Sequence, residues 1–255
     1  MQAVFDEFGR AVPGQVKGAV QQKVRRYFRC DQPELDLDAI YGRIQAVLGE
    51  GSLSCEAFKS RVAALIQGLE RDAAHCGILK GVYVPFYIPQ RDTKDIGRDI
   101  GELYLPALAQ SFTGKCPDYD FKKHDQKQLE GNLSIVAGAK HGRLLEKLAT
   151  QDVVGLYFPA LDGYSLEAAR EQVAFLPQSF SLAGGADTCA AMIGSPDLLL
   201  RQDGYPPLLW FGGLEAEDPS ENVHLEAYGY DLTFNRRVHL GNADEYWANG
   251  IVVSD

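Results

Sequence analysis

The chain is poor in the residues and spacings that announce an activity. It has five cysteines, Cys30, Cys55, Cys76, Cys116 and Cys189, odd in number and scattered, with no CxxC pair. That arrangement suits neither a disulfide framework nor a thiolate metal cluster and predicts reduced thiols. Cys116 sits between Lys115 and Pro117, where a cation can lower a thiol pKa, but no partner base is in view. No apolar run approaches the roughly 20 residues that span a bilayer. The first residues, MQAVFDEFGR, carry two acids and lack the apolar stretch of a secretion signal. The expectation is a soluble, cytoplasmic protein that does not enter a membrane.

Nucleotide-binding and hydrolase signatures are missing as well. There is no GxGxxG and no GxxxxGK[ST]. Gly163-Tyr164-Ser165-Leu166-Glu167 lacks the second glycine of a nucleophile elbow. No internal repeat or heptad pattern is visible, and the spacings imply no particular cofactor.

Charge is present, but of one dominant sign. The net charge is -10. Residues 1–30 hold six basic and two acidic residues, whereas residues 202–255 hold two basic and ten acidic ones. An acidic total argues against nucleic acid as the partner, because that affinity rests on neutralising phosphates. The N-terminal group Lys23, Arg25, Arg26 and Arg29, with Tyr27 and Phe28 between them, is the one basic patch, and it reads more simply as a solvated face beside two core aromatics.

Apolar spacing divides the chain into three regions. Residues 1–80 read as helical: Val16, Val20, Val24, Tyr27 and Phe28 form one stripe. Leu37, Ile40, Tyr41, Ile44, Val47 and Leu48 form a second, and Phe58, Val62, Leu65, Ile66 and Leu69 a third that opens at Ser54. Residues 81–201 read as an α/β core. GVYVPFYIP is a strand placed at a sheet edge by Pro85, which cannot donate to a ladder. A helix follows from about Asp95, and Pro106 either kinks it or starts a new turn. The polar interval 113–131 is long enough to be a mobile surface loop, and its Asp118, Asp120, His124 and Asp125 are metal-competent residue types without fixed geometry. LSIVAG, AKHGRLLEKLATQD and VVGLYFPA, spanning Leu133 to Ala160, read as strand, helix and strand, a βαβ crossover. Ser165 caps the next helix. Residues 202–255 read as an acidic, antiparallel β-rich end that continues the same sheet. The expected fold class is thus α/β, with mixed α+β open: a mixed sheet with a βαβ crossover flanked by helices, a helical N-terminal region and an antiparallel C-terminal end.

Three places hold chemistry-bearing residues. At Gly138-Ala139-Lys140-His141 a helix opens after a glycine, where unpaired amides and two potentially cationic side chains favour an anion. Gly184-Gly185 opens a second helix, with Asp187 able to act as a base or simply to cap it. If the two turns share a sheet edge, Gly138, Lys140, His141, Gly184 and Gly185 line one ligand pocket, with His141 and Asp187 as the catalytic candidates. The third place is His224, Glu226 and His239. A hairpin turn at Asp231-Leu232 would bring the two imidazoles and the carboxylate together as a metal site, whereas a turn at Asn235-Arg236 would separate them.

These readings lead to a protein that binds a small anionic ligand near the Gly138 and Gly184 turns, as a binding protein or an enzyme. The alternatives are a non-catalytic protein that engages a protein partner through its acidic C-terminal surface, and a metal-binding protein. The βα alternation serves many unrelated functions and selects none of them.

Overall fold

Asp36 and Ser54 start the first two helices by the same chemistry. The Asp36 carboxylate accepts from the amides of Asp38 and Ala39 at 3.0 and 3.1 Å, and Ser54 Oγ accepts from Ala57 N–H at 3.2 Å. The helices they open are α1 (Leu37–Leu48), which buries Ile40, Ile44 and Leu48, and α2 (Cys55–Arg71), which buries Phe58, Val62 and Leu69. The computed structural model describes residues 3–255. The first apolar stripe is not a helix: only Arg26–Phe28 form a 3₁₀ turn. Val20 instead makes a bridge to Tyr164, and a Cβ on Gly18 would lie 2.4 Å from the Ala168 amide nitrogen. The segment runs against distant chain at a separation that a helix could not reach.

The chain continues through β1 (Val84–Ile88), α3 (Ile96–Asp99), α4 (Leu105–Lys115), β2 (Phe121–Lys123), β3 (Leu133–Ile135), α5 (His141–Leu148), β4 (Val153–Asp162), α6 (Leu166–Ala174), β5 (Phe180–Leu182) and α7 (Gly185–Gly194). It ends with β6 (Leu208–Trp210), β7 (Leu214–Ala216), β8 (Glu221–Tyr228), β9 (Asp231–Val238) and β10 (Trp247–Ser254). Between α3 and α4 one π-helical turn, Ile100–Tyr104, accommodates Pro106, whose ring would clash with the carbonyl four residues earlier in a regular helix.

The fold class is α/β, built on a mixed sheet in the order β1-β4-β10-β6-β8-β9-β2, with β5 also paired to β10. β1 lies at the edge, with Pro85 in it. The C-terminal strands continue the sheet that holds β1 and β4, because β10 pairs antiparallel with β4 and parallel with β6.

The crossover from Leu133 to Ala160 does not close in one sheet. β3 is three residues long, exposes Ser134, and pairs with β7 in a separate two-stranded sheet. A crossover does form one strand later. β4 and β5 both run antiparallel to β10 and are joined by α6, so they are parallel strands with β10 inserted between them.

The polar interval 113–131 is tied down. α4 reaches Lys115, β2 pairs with β9, and the buried Asp125 meets Arg236 at 3.0 Å. Arg236 also holds Glu221 at 2.9 Å. Among the described residues no helix is long and apolar enough to cross a membrane.

Asp152 fastens the entry to β4. It is 2% exposed, and its carboxylate accepts from Ser52 Oγ at 2.9 Å and from the amides of Leu53 and Gln90 at 2.7 Å each. Asp152→Ala strands these donors, so the expected loss of stability is about 3 kcal/mol, with a smaller loss for Asp152→Asn, which keeps one acceptor oxygen. Urea unfolding checks this by a lower midpoint at unchanged slope.

Candidate functional site

Three glycine-bearing turns are stitched together by backbone hydrogen bonds. Val136 N–H donates to the Gly213 carbonyl at 3.1 Å, Gly213 N–H to the Ala183 carbonyl at 2.7 Å, and Ala183 N–H to the Gly250 carbonyl at 2.8 Å. The turn before α5 and the turn before α7 therefore meet, with Gly212-Gly213 between them. Side chains would prevent this approach: a Cβ on Gly213 would lie 2.8 Å from the Leu182 carbonyl oxygen and 3.0 Å from the His141 ring.

His141 and Asp187 come together inside this junction. His141 Nδ1 lies 3.4 Å from Asp187 Oδ2, and both residues are fully buried. The distance suits an ion pair, but neither imidazole nitrogen nor Asp187 Oδ2 has a hydrogen-bond partner. The other carboxylate oxygen caps α7, accepting from Gly184 N–H at 2.8 Å and Thr188 N–H at 2.9 Å. Gly184 and Gly185 are packing glycines, the first against the imidazole and the second against Ile100 and Phe211, and neither lines an opening.

The opening lies on the other side of Gly213. A cavity of about 380 Å³ is lined by Gly138, Lys140, Arg143, Arg170, Gly212 and Gly213, together with apolar residues and Gln178. Gly138 adopts φ +71° at its rim, with open space around it. Lys140 is held in place: its ammonium donates to the carbonyls of Val173 at 2.9 Å and Leu176 at 2.6 Å, at the end of α6. Burial and the neighbouring Arg143 push the Lys140 pKa down. Arg170 reaches from α6 to the carbonyls of Gly212 at 3.2 Å and Leu214 at 2.7 Å. Burial lowers its pKa as well.

Of the residues selected by sequence, Gly138 and Lys140 line the cavity, whereas His141, Asp187, Gly184 and Gly185 form its buried backing. Arg143, Arg170 and Gly212-Gly213 were missed. The glycine pair was visible at the end of PPLLWFGG, but Arg170 carries no local signal, since it is simply a polar position on an amphipathic helix.

The metal triad does not assemble. The hairpin turns at Gly229-Tyr230, both at positive φ, which sets His224 opposite Asn235. His239 lies beyond the end of β9 and is exposed. His224 is fully buried, 5.0 Å from the Trp210 ring and 3.7 Å from Glu226, and burial lowers its pKa. Among the described residues no three His, Cys, Asp or Glu side chains are grouped to hold a metal ion. Cys116 is buried, which raises its thiol pKa against the smaller opposing effect of Lys115.

A Cβ on Gly184 would lie 2.2 Å from His141 Nε2. Gly184→Ala is expected to displace the imidazole and cost about 1–3 kcal/mol. Gly138→Ala meets no neighbour but strains a positive φ, for about 1 kcal/mol. Thermal unfolding of the two variants separates packing at the junction from strain at the rim. No protein-family model, curated protein or solved structure matches the chain, so the reading of this site rests on its own chemistry.

Proposed function

We propose that the chain binds a small anionic ligand, bearing a phosphate, sulfate or carboxylate group, in the cavity between Gly138 and Gly212-Gly213. One observation carries this reading. Lys140, Arg143 and Arg170 converge on a cavity whose lining contains no carboxylate, in a chain of net charge -10. Among the described residues none of the three makes an ion pair. The Glu215 carboxylate acts on Arg170 but offsets less than burial costs it, and like charges grouped with so little compensation favour a bound anion. The volume suits a ligand of a few dozen atoms at most.

The proposal concerns binding alone. His141 and Asp187, the titratable pair nearest the cavity, are sealed behind the glycine junction, where they hold its shape. The acidic C-terminal region offers less to a protein partner than its charge suggests. Asp203, Glu221, Glu226, Asp231, Glu245 and Asp255 are each paired with a cation of this chain.

A thermal-shift series with inorganic phosphate, sulfate and citrate tests the reading, because a ligand that binds only the folded state raises its apparent stability. The expected result is stabilisation by at least one of these anions, weakened roughly tenfold in apparent affinity by Arg143→Glu, which is about 1.4 kcal/mol. Arg143 is exposed in the lining and, among the described residues, makes no side-chain hydrogen bond or ion pair, so this variant mainly changes charge. An unfolding temperature unmoved by every anion, or moved equally in Arg143→Glu, would refute the proposal.

A further inference from the structure

A second and larger cavity lies where β4 runs out, beside Pro159, Ala160 and Asp162. Its volume is about 520 Å³, and its lining brings together Arg10, Arg26, Arg29, Lys80, Cys30 and Asp162. The N-terminal segment builds one wall. Gly9, at φ +75°, comes so close to Gly81 that a Cβ would lie 2.3 Å from the Gly81 amide nitrogen. Arg10 then donates through Nε to the Asp162 carbonyl at 2.9 Å and through Nη2 to the Gln21 carbonyl at 2.6 Å.

Two polar atoms in this lining have no protein partner. Asp162 is 7% exposed, and its Oδ1 is buried with nothing to accept from. Arg29 donates through Nη2 to the Val24 carbonyl at 2.9 Å and stacks over Phe8 at 4.4 Å, leaving its buried Nε–H unused. The two groups do not pair with each other, although a carboxylate and a guanidinium facing one cavity would be expected to do so. Buried polar atoms left in this way call for a partner that the protein does not supply.

The charge of the lining selects the partner. Four cations face one carboxylate, and among the described residues only Arg26 of the four makes an ion pair, with Asp31. An anion satisfies Arg29 but would repel an ionised Asp162, unless Asp162 carries a proton and donates it in a hydrogen bond. The groups around Asp162 are Asp6 and Arg10 from the N-terminal segment, Arg26, Arg29, Cys30 and Asp31 from the 3₁₀ turn and the chain after it, Lys80 and Tyr83 before β1, and Tyr157 on β4. Burial outweighs the two nearby arginines and pushes the Asp162 pKa up to about 7, so protonation near neutrality costs little.

We propose that this cavity is a second ligand site, which takes up a small anion together with one proton from solvent, the anion against Arg29 Nε and the proton on Asp162. It is separate from the glycine-lined cavity and does not depend on it.

Sulfate and acetate are the probes, because neither changes charge between about pH 6 and about pH 8. Calorimetric titration of the full chain at constant ionic strength should show at least one of them binding roughly tenfold tighter at the lower pH, with a heat at the higher pH that varies with the buffer's protonation enthalpy. Asp162→Asn supplies a permanent donor, so its binding should be independent of pH and match the wild type at low pH. Arg143→Glu should leave the pH dependence intact, since it alters only the other cavity. In the wild-type protein the ¹³C resonance of the Asp162 carboxyl should titrate near neutrality and move to higher pH when the binding anion is added. The proposal is overturned if neither anion binds with this pH dependence, if the dependence persists in Asp162→Asn or vanishes in Arg143→Glu, or if the Asp162 resonance titrates in the ordinary carboxylate range.

Discussion

All ten residues of β4 are buried, and the rest of the structure is arranged to cover them. β1 and β10 flank the strand, α7 lies across β1 and β4, and α2 packs on β4 from the N-terminal region. Space inside this cover is so limited that glycines make room for rings. Gly155 admits Phe86, and Gly250, at a register shift in β10, admits Tyr157. The two ends of the strand carry the same chemistry with opposite outcomes. Asp152 at the entry has donors for both carboxylate oxygens. At the exit, Asp162 has an oxygen that nothing in the protein meets. Burial without a partner for that oxygen pushes the Asp162 pKa up to about 7, so the exit of the strand carries a carboxyl that can gain or lose a proton near neutrality.

Local signals in the sequence were legible where local chemistry decides the outcome. Ser54 and Ser165 cap the helices they precede, and the apolar stripes of α1 and α2 are the faces they bury. The stripe from Val16 to Phe28 has comparable spacing and forms no helix, because the same apolar side chains also suit an extended segment pressed against α6 and Tyr164. Pairing partners were not legible. β3 is followed by the expected glycine, yet nothing in LSIVAG distinguishes β7 from β4 as its neighbour, since that choice is made by residues some eighty positions away. The hairpin register had a usable signal in Gly229, the one glycine between Val223 and Leu240, which accepts the positive φ of a two-residue turn.

The cavity beside Gly138 was half legible for the same reason. Gly138 and Lys140 belong to a strand-to-helix turn that announces itself. Arg170 belongs to another element and arrives through the hydrogen bonds that join α6 to Gly212 and Leu214. His141 and Asp187 do meet, but the glycines that permit their approach also close it to solvent. Close packing and accessibility compete here, and packing wins: a junction tight enough to bring three turns within hydrogen-bond distance leaves no room for a substrate at its centre.

What remains open to solvent is the charge on the rim. Backbone carbonyls occupy the donors of Lys140 and Arg170 without neutralising them, because a carbonyl contributes a dipole and not a full charge. The carbonyls fix where the cationic heads sit, and the field of those heads still extends into the cavity. Arg143, also in the lining, is exposed to solvent. In the anion site proposed above, such a division of labour selects for charge first and geometry second, because fixed cationic heads set the field while few groups set a shape.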